Sequence, residues 1–196
     1  MAKTIITIGR EYCTGGNYIA EDVANALGIK LYDKELITMA AKHSGLSEEA
    51  VAASEKRHTH SLLYSLYTMG NELPLGDQVF ILQSRIIKKL AEEGPCVILG
   101  RCADEILREA GMESLNVFIH ADAVHRAVRA SELTGCTDAT ELQKIIAKKD
   151  NSRHTYYNHY TGKKWGDSHN YHLVLDSGKL GYSLCTKLII EAAKGE

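Results

Sequence analysis

The chain has 196 residues and a formal net charge of −2, with 44% hydrophobic and 24% charged residues. This composition is ordinary for one globular domain with a full core, and the charge gives no support for a protein that coats nucleic acid or an acidic membrane. No apolar run approaches the roughly 20 residues that a membrane-spanning helix needs, and the N-terminus enters the first predicted strand without a signal peptide. The five cysteines are scattered and include no C-x-x-C pair, so we expect the reduced thiols of a cytoplasmic protein.

The N-terminal stretch has the order strand, glycine-rich loop, helix. A β-branched run at 4–8 predicts a short buried strand, and a helical pattern begins at Asn17. Between them lie Gly9, Gly15 and Gly16, and such glycines let the main chain approach an anion at a helix N-terminus. The alternative is a strand-to-helix turn without a ligand. The phosphate-binding pattern G-x-x-x-x-G-K-[ST] is not met, because Gly16 replaces the lysine and Asn17 replaces the hydroxyl residue.

The next segments predict one short strand and two helices. Residues 29–32 form the strand candidate, and Asp33 follows either as the cap of a helix over 34–43 or as a carboxylate that faces a cleft. A second helix is predicted over 47–57. The region 58–76 mixes apolar and aromatic residues without a clean period, and we interpret it as a partly helical cover or flap. Its apolar residues are expected to pack on the domain or on a second subunit, which is compatible with a homo-oligomer.

A glycine and an arginine follow the third predicted strand. An apolar repeat predicts a helix from Asp77 to 93, and residues 96–99 form a buried strand that leads directly to Gly100 and Arg101. If the sheet is parallel, both residues lie at the same edge as the glycine loop, where a planar guanidinium suits phosphate. A surface salt bridge is the alternative for the arginine.

The rest of the chain again alternates helix and strand. We predict a helix over 103–110, a strand over 115–119, helices over 122–133 and 137–150, a polar and aromatic turn over 156–167, a strand over 171–175 and a closing helix over 180–193. Arg126 and Arg129 are three residues apart and share a helix face, as do Asp150 and Arg153. Exposed ion pairs are the alternative for the first two. The histidines between 154 and 172 fit no metal-ligand spacing, so we predict no metal site built from side chains.

Five short strands that alternate with helices predict an α/β fold with a parallel sheet and helices on both faces. Several pieces of the chain together resemble the cytidylate kinase-like family, a branch of the P-loop nucleoside monophosphate kinases. The pieces are ITIGREY at 6–12 with Gly15 and Gly16, LYDKEL at 31–36, VILGR at 97–101, NVFI at 116–119 with Arg126, KDNSR at 149–153, Tyr156 and Tyr157, and YTG at 160–162 with Trp165. The resemblance implies a three-layer P-loop kinase fold in a single domain over 1–196, with an acceptor-side helical or flap region at 44–76 and a small helical lid at 126–167.

The resemblance also implies roles for the charged positions. The donor phosphates would lie on the loop at 9–17, bound by Gly9, Arg10, Glu11, Thr14, Gly15, Gly16 and Asn17. The acceptor would be bound by Asp33, Gly100, Arg101, Arg129 and Asp150, and the transferring phosphoryl group would be held by Arg126 and Arg153. ATP and Mg²⁺ are the implied cofactors, and small-molecule nucleotides are the implied partners.

The missing lysine is the main departure from the family pattern. Loss of one preorganised donor costs roughly 3–4 kcal/mol of transition-state stabilisation, or about a hundredfold or more in rate. Arg10 inside the loop is the preferred catalytic replacement, with Lys3 as a second candidate, and the alternative for Arg10 is an outward-facing loop arginine. With Asn17 in place of the hydroxyl residue, magnesium would be held largely by nucleotide phosphates, water and an unidentified carboxylate.

The leading hypothesis is ATP-dependent phosphoryl transfer to a nucleoside monophosphate such as CMP or dCMP, with no nucleic-acid or membrane partner. One alternative is a nucleotide-binding regulatory protein of the same fold, in which catalysis is weakened by the loss of the lysine. Another is a kinase with a non-nucleotide acceptor, since the region 58–76 could reshape the acceptor pocket.

Overall fold

Five parallel strands form the centre of the computed structural model, which describes residues 5–33, 35–45, 47–54 and 73–195. The strands are β1 Ile6–Arg10, β2 Lys30–Tyr32, β3 Cys96–Leu99, β4 Leu115–His120 and β5 Leu173–Asp176. Their order across the sheet is β2-β3-β1-β4-β5, and all four neighbouring pairs are parallel. The predicted parallel sheet is therefore confirmed, and the carboxyl ends of β1, β2 and β3 meet along one edge.

Nine α-helices among the described residues surround this sheet. They are α1 Gly16–Leu27, α2 Glu35–Ser44, α3 Glu48–Ser54, α4 Leu75–Glu93, α5 Ala103–Glu109, α6 Ala123–Thr134, α7 Ala139–Thr161, α8 Ser177–Leu180 and α9 Tyr182–Lys194, and a short 3₁₀ turn spans Ser168–Asn170. We call α6 and α7 the lid helices, after the lid predicted at 126–167. No helix in the described ranges is both long and apolar enough to cross a membrane.

The strands supply two separate cores, one on each face of the sheet. Successive side chains of a strand point to opposite faces. Leu99 of β3 accordingly packs with Ile8 and with side chains of α1 and α9, whereas its neighbour Ile98 packs with Ile87 of α4 and Leu107 of α5. Helices therefore cover both faces, which confirms the predicted three-layer arrangement.

The second lid helix is longer than the sequence predicts. The prediction of a turn over 156–167 is wrong for its first part, because α7 continues through Thr161. The ring of Tyr160 stacks on Phe80 of α4 with 3.9 Å between ring centroids, and its hydroxyl donates to Asp77 over 3.1 Å. These contacts between helices hold the aromatic segment as helix, and no local pattern reveals them.

Other boundaries differ by about two residues from the predictions. β1 spans Ile6–Arg10 rather than 4–8, because its ladder with β4 continues through Gly9 and Arg10. α4 begins at Leu75 rather than Asp77, and the predicted closing helix is divided at Gly181 into α8 and α9. The predictions for 55–57 and for the cover at 58–72, like Lys3, lie outside the described residues.

Candidate functional site

A cleft of about 410 Å³ opens at the carboxyl ends of β1, β2 and β3. Its lining combines the ends of these strands with α1, α5 and the second lid helix α7. The residues are Thr7, Ile8, Gly9, Arg10, Asn17, Asp33, Ala52, Gly100, Arg101, Cys102, Asp104, Lys149, Ser152, Arg153, Tyr156, Tyr157, Trp165 and Tyr171. The cleft thus brings together seven of the predicted site residues, namely Gly9, Arg10, Asn17, Asp33, Gly100, Arg101 and Arg153.

Arg10 crosses the cleft from the end of β1 toward β2. Its side chain is only 11% exposed, its Nε donates to Asn17 Oδ1 over 3.3 Å, and its Nη2 lies 3.7 Å from Asp33 Oδ1. A Cβ on residue 16 would lie 2.8 Å from the Cβ of Arg10, and a Cβ on residue 100 would lie 2.8 Å from its Nη1. Arg10 is therefore not an outward-facing loop arginine, and it lies where side chains at Gly16 and Gly100 would otherwise be.

A strained turn after β3 carries Arg101 into the cleft. Gly100, Arg101 and Cys102 have φ values of 77°, 60° and 55°, so three consecutive residues are left-handed. For residues other than glycine this conformation costs roughly 1–2 kcal/mol each, and it persists only where surrounding packing holds it. The parallel pairing of β3 with β1 brings this turn next to Arg10.

Arg153 enters the cleft from α7. Its Nη1 is 3.5 Å from Asp150 Oδ1 and makes no hydrogen bond among the described residues, and its guanidinium lies 5.7 Å from the centre of the Tyr12 ring. Burial is the main cause that lowers the pKa of Arg153, with the charges of Arg101 and Arg126 adding to the effect and Asp150 opposing it.

The three cleft arginines repel one another. Burial, followed by the charges of Arg153 and Arg101, lowers the pKa of Arg10 to about 9, and Asp33 opposes this shift. A guanidinium nevertheless stays protonated at neutral pH. The lowered pKa values therefore express mainly the cost of holding guanidinium groups in a poorly solvated cleft, and a bound polyanion would offset that cost.

The donor loop, residues 9–17, forms the second wall. Among the described residues, the backbone N–H groups of Gly15 and Gly16 donate no hydrogen bond to protein, and they lie at the N-terminus of α1. Thr14 is fixed by its hydroxyl, which donates to the carbonyl of Glu11 over 3.0 Å, and by its carbonyl, which accepts from Ser177. Free N–H groups at a helix N-terminus are suited to bind phosphate.

The ring of Tyr182 covers this loop from α9. Gly15 is left-handed at φ 71°, and a Cβ on it would lie 2.2 Å from Cζ of Tyr182. The ring also stacks loosely on that of Tyr18, with 6.3 Å between centroids. Both the backbone conformation and this close ring therefore require glycine at residue 15.

Arg126 and Asp150 contact the donor loop and do not line the cleft. Arg126 donates to the carbonyl of Tyr12 over 2.9 Å, to Glu11 over 3.0 Å and to Asp150. Asp150 accepts the N–H of Tyr12 over 2.7 Å. These contacts connect both lid helices to the loop. The contact of Asp150 with the acceptor stays a prediction.

Arg129 lies outside the cleft, on the rim beside α1. It donates to the hydroxyl of Tyr18 over 2.8 Å and to Glu132 over 2.7 Å. The structure therefore places Arg129 apart from Asp33, Gly100 and Arg101 and pairs it with Glu132. Its contact with the acceptor stays a prediction.

The sequence interpretation missed a half-buried carboxylate and an aromatic wall, which we define as Tyr156, Tyr157, Trp165 and Tyr171. Asp104 accepts from the hydroxyl of Tyr157 over 2.7 Å, and burial raises the pKa of Asp104 while this bond opposes the shift. Tyr156, Trp165 and Tyr171 line the same side. Asp104 lies three residues after Arg101, in the first turn of α5, so the rule that strand ends meet at one edge could have found it. Tyr156 and Trp165 are predicted in a turn and Tyr171 in the last strand, and none of them is predicted to have a role in the site.

No three carboxylate, histidine or cysteine side chains within the described ranges lie close enough to share a metal ion. The carboxylates nearest the donor loop are already paired, Glu11 and Asp150 with Arg126 and Asp33 with Arg10. A magnesium ion would therefore find its ligands mainly on nucleotide phosphates and water.

Comparison with known proteins assigns this architecture to a family. The model of the family described as cytidylate kinase-like matches residues 5–179. The chain belongs to the cytidylate kinase-like family. The match includes the donor loop, the β3 turn and both lid helices, so it spans every wall of the cleft. No curated protein sequence matches the chain.

Solved structures agree with this family member over nearly its whole length. A crystal structure of an uncharacterized protein from Eubacterium ventriosum ATCC 27560 is 28% identical, with a TM-score of 0.73 and coverage of 98% of this chain and 99% of that one. Shikimate kinase from Bacteroides thetaiotaomicron is 13% identical (TM-score 0.54, 97% and 98% covered), and a gluconokinase from Sinorhizobium meliloti 1021 is 14% identical (TM-score 0.54, 99% and 95% covered). At such low identities the two kinases establish the fold alone.

The contact between Gly15 and Tyr182 gives a testable prediction. Gly15→Ala should lower the free energy of unfolding in urea by more than Gly28→Ala, which has a similar φ of 66° and nothing within 4 Å of the added Cβ. Gly28→Ala should lose only the roughly 1–2 kcal/mol that a left-handed backbone costs a residue other than glycine. The additional loss in Gly15→Ala should disappear when Tyr182 is also replaced by alanine. Equal losses for the two glycine variants would contradict the account.

Proposed function

We propose that this protein transfers the γ-phosphoryl group of ATP to the phosphate of a nucleoside monophosphate, with CMP or dCMP as the acceptor. The observation that carries the proposal is the convergence of Arg10, Arg101 and Arg153 in one cleft beside a loop of free N–H groups. Phosphoryl transfer requires in-line positioning and positive charge around the equatorial oxygens more than it requires covalent chemistry. Three planar guanidinium groups from three different elements meet that requirement.

Each wall of the cleft has a role in this scheme. The N–H groups of Gly15 and Gly16 bind the donor phosphates, and Arg101 holds the phosphate of the acceptor with its planar fork. Arg10 and Arg153 stand between them and stabilise the charge of the transferring group. Magnesium, carried by the donor phosphates and water, supplies further neutralisation of that charge.

The aromatic wall supports a nucleotide acceptor. Among the aromatic residues of this lining, Tyr156 and Trp165 are partly exposed, whereas Tyr157 and Tyr171 are only 5% and 9% exposed. Tyr156 and Trp165 are therefore the rings on which a base would stack. Bases stack on such rings, whereas a polyol has no flat face to offer them. A volume of about 410 Å³ is also within the range of small-ligand pockets.

One observation favours a second candidate, a kinase with a non-nucleotide acceptor. Asp33 and Asp104 place two carboxylates in the cleft, and carboxylates accept hydrogen bonds from the hydroxyl groups of a polyol. The proteins similar in fold include a shikimate kinase and a gluconokinase. The nucleotide acceptor is preferred because its base would use the aromatic wall and its phosphate would use the arginines.

A panel of acceptors separates these candidates. With ATP and magnesium, we expect product from CMP or dCMP, measured by ³¹P NMR or coupled ADP release. Product from shikimate or gluconate alone would favour the second candidate. Binding of ATP and CMP by calorimetry without product from any acceptor would favour a regulatory protein of the same fold.

Removal of the cleft arginines should abolish transfer without unfolding the protein. Arg101→Ala and Arg153→Ala are each expected to lower kcat/KM by about 10²–10³-fold, the usual cost of losing one preorganised donor. Arg85→Ala, at an exposed position on α4, is the control and should keep the wild-type rate. Full activity in both cleft variants, with circular dichroism unchanged, would rule out the assignment.

Arg10 is proposed to supply the charge of the missing loop lysine. Because Arg10 fills the space beside Gly16, a lysine at 16 is compatible only with a smaller residue at 10. Arg10→Gly should lower kcat by about a hundredfold, and Gly16→Lys alone should also be impaired through overlap with Arg10.

The double variant R10G/G16K tests this exchange of positions. Its kcat should be at least about tenfold higher than that of R10G, since it restores one cation at nearly the same place in the cleft. A double variant no faster than R10G would mean that Arg10 has another role.

A further inference from the structure

The carboxylate of Asp150 makes the contacts at the donor loop that a phosphate oxygen would make. It accepts the N–H of Tyr12 over 2.7 Å and a hydrogen bond from Arg126, and it lies 3.5 Å from Nη1 of Arg153. Its side chain is 17% exposed. One loop N–H and two guanidinium groups are typical partners of a bound phosphate, yet here the anion belongs to α7 itself.

Arg126 is fully engaged by the protein. Its three nitrogens donate to the carbonyl of Tyr12, to Glu11 and to Asp150, so two carboxylates neutralise one guanidinium. The ring of Tyr12 also lies near the cations of Lys149 and Arg153, at 5.9 and 5.7 Å. The lid is thus docked on the donor loop through charges that a polyphosphate would compete for.

We propose that Asp150 is an internal anion that competes with the donor, and that a donor polyphosphate binds by displacing it from Tyr12 and Arg126. Binding then requires α7 to shift relative to the loop, and it frees Arg126 and Arg153 to contact phosphate. The inference rests on the proposed function only in taking a polyphosphate as the competing ligand. The contact of Asp150 with the donor loop therefore lowers the affinity for the donor. It also offsets the charges of Arg126 and Arg153 when no donor is bound.

Calorimetric titration with inorganic tripolyphosphate tests this without requiring catalysis. Asp150→Asn keeps the size of the side chain but removes the competing charge. It should bind tripolyphosphate at least about tenfold more tightly than the wild type, the scale of one charged hydrogen bond. Asp138→Asn is the matched control, because it removes the same charge from the N-cap of the same helix and still caps it. Its affinity should equal that of the wild type.

Two further variants keep the test decisive. Glu11→Gln, which removes the other carboxylate on Arg126, should give a smaller gain, and it substitutes for D150N if that variant does not fold. Arg126→Ala in the D150N background should abolish most of the gain.

Unchanged or weaker binding of tripolyphosphate by D150N, or an equal gain in D138N, would overturn the inference. A gain in D150N without transfer to any acceptor would overturn the proposed function alone, and transfer by the wild type with no gain in D150N would overturn only the inference.

Discussion

The confinement of three guanidinium groups in one poorly solvated cleft is the constraint on which the rest of this structure depends. Arg10 is held by the end of the β1 ladder and by the absence of side chains at Gly16 and Gly100. Arg101 is held by a left-handed turn, and Arg153 by a helix whose aromatic face packs on α4. Asp33 pairs with Arg10, and Asp150 lies beside Arg153. A fold that keeps such an arrangement is preorganised for a ligand with several negative charges.

The donor loop and the lid helices form one connected unit. The N–H of Tyr12 binds Asp150, its carbonyl binds Arg126, and its ring lies beside Arg153. A small apolar cluster of Cys13, Ala130 and Leu142 lies next to these contacts. A change in the loop caused by a bound phosphate would therefore reach both lid helices and one cleft arginine directly, because each of them touches the same residue. Binding of a phosphate at the donor loop would thus be coupled to the arrangement of the cleft.

The sheet and part of the cleft could be predicted from the sequence because they depend on local patterns. Arg101 was placed correctly at the carboxyl edge, since the strand at 96–99 is short and apolar and parallel strands end together. The path of Arg10 could not be predicted, because it depends on the absence of side chains at Gly16 and at Gly100, which lies 90 residues after Arg10. Spacing put Arg126 and Arg129 on one helix face, but their partners, Glu11 and Tyr18, belong to other elements. The extension of α7 likewise depends on Phe80, 80 residues before Tyr160.

We propose that the donor loop, the three cleft arginines and the aromatic wall form one site, in which two nucleotides bind with their phosphates side by side. The most direct test is the affinity of a bisubstrate compound in which adenosine and cytidine are linked through their 5′ oxygens by five phosphates. This compound is expected to bind at least about a hundredfold more tightly than ATP, which is the low end of the gain that transition-state analogues show over substrates. An affinity no better than that of ATP alone would contradict this proposal.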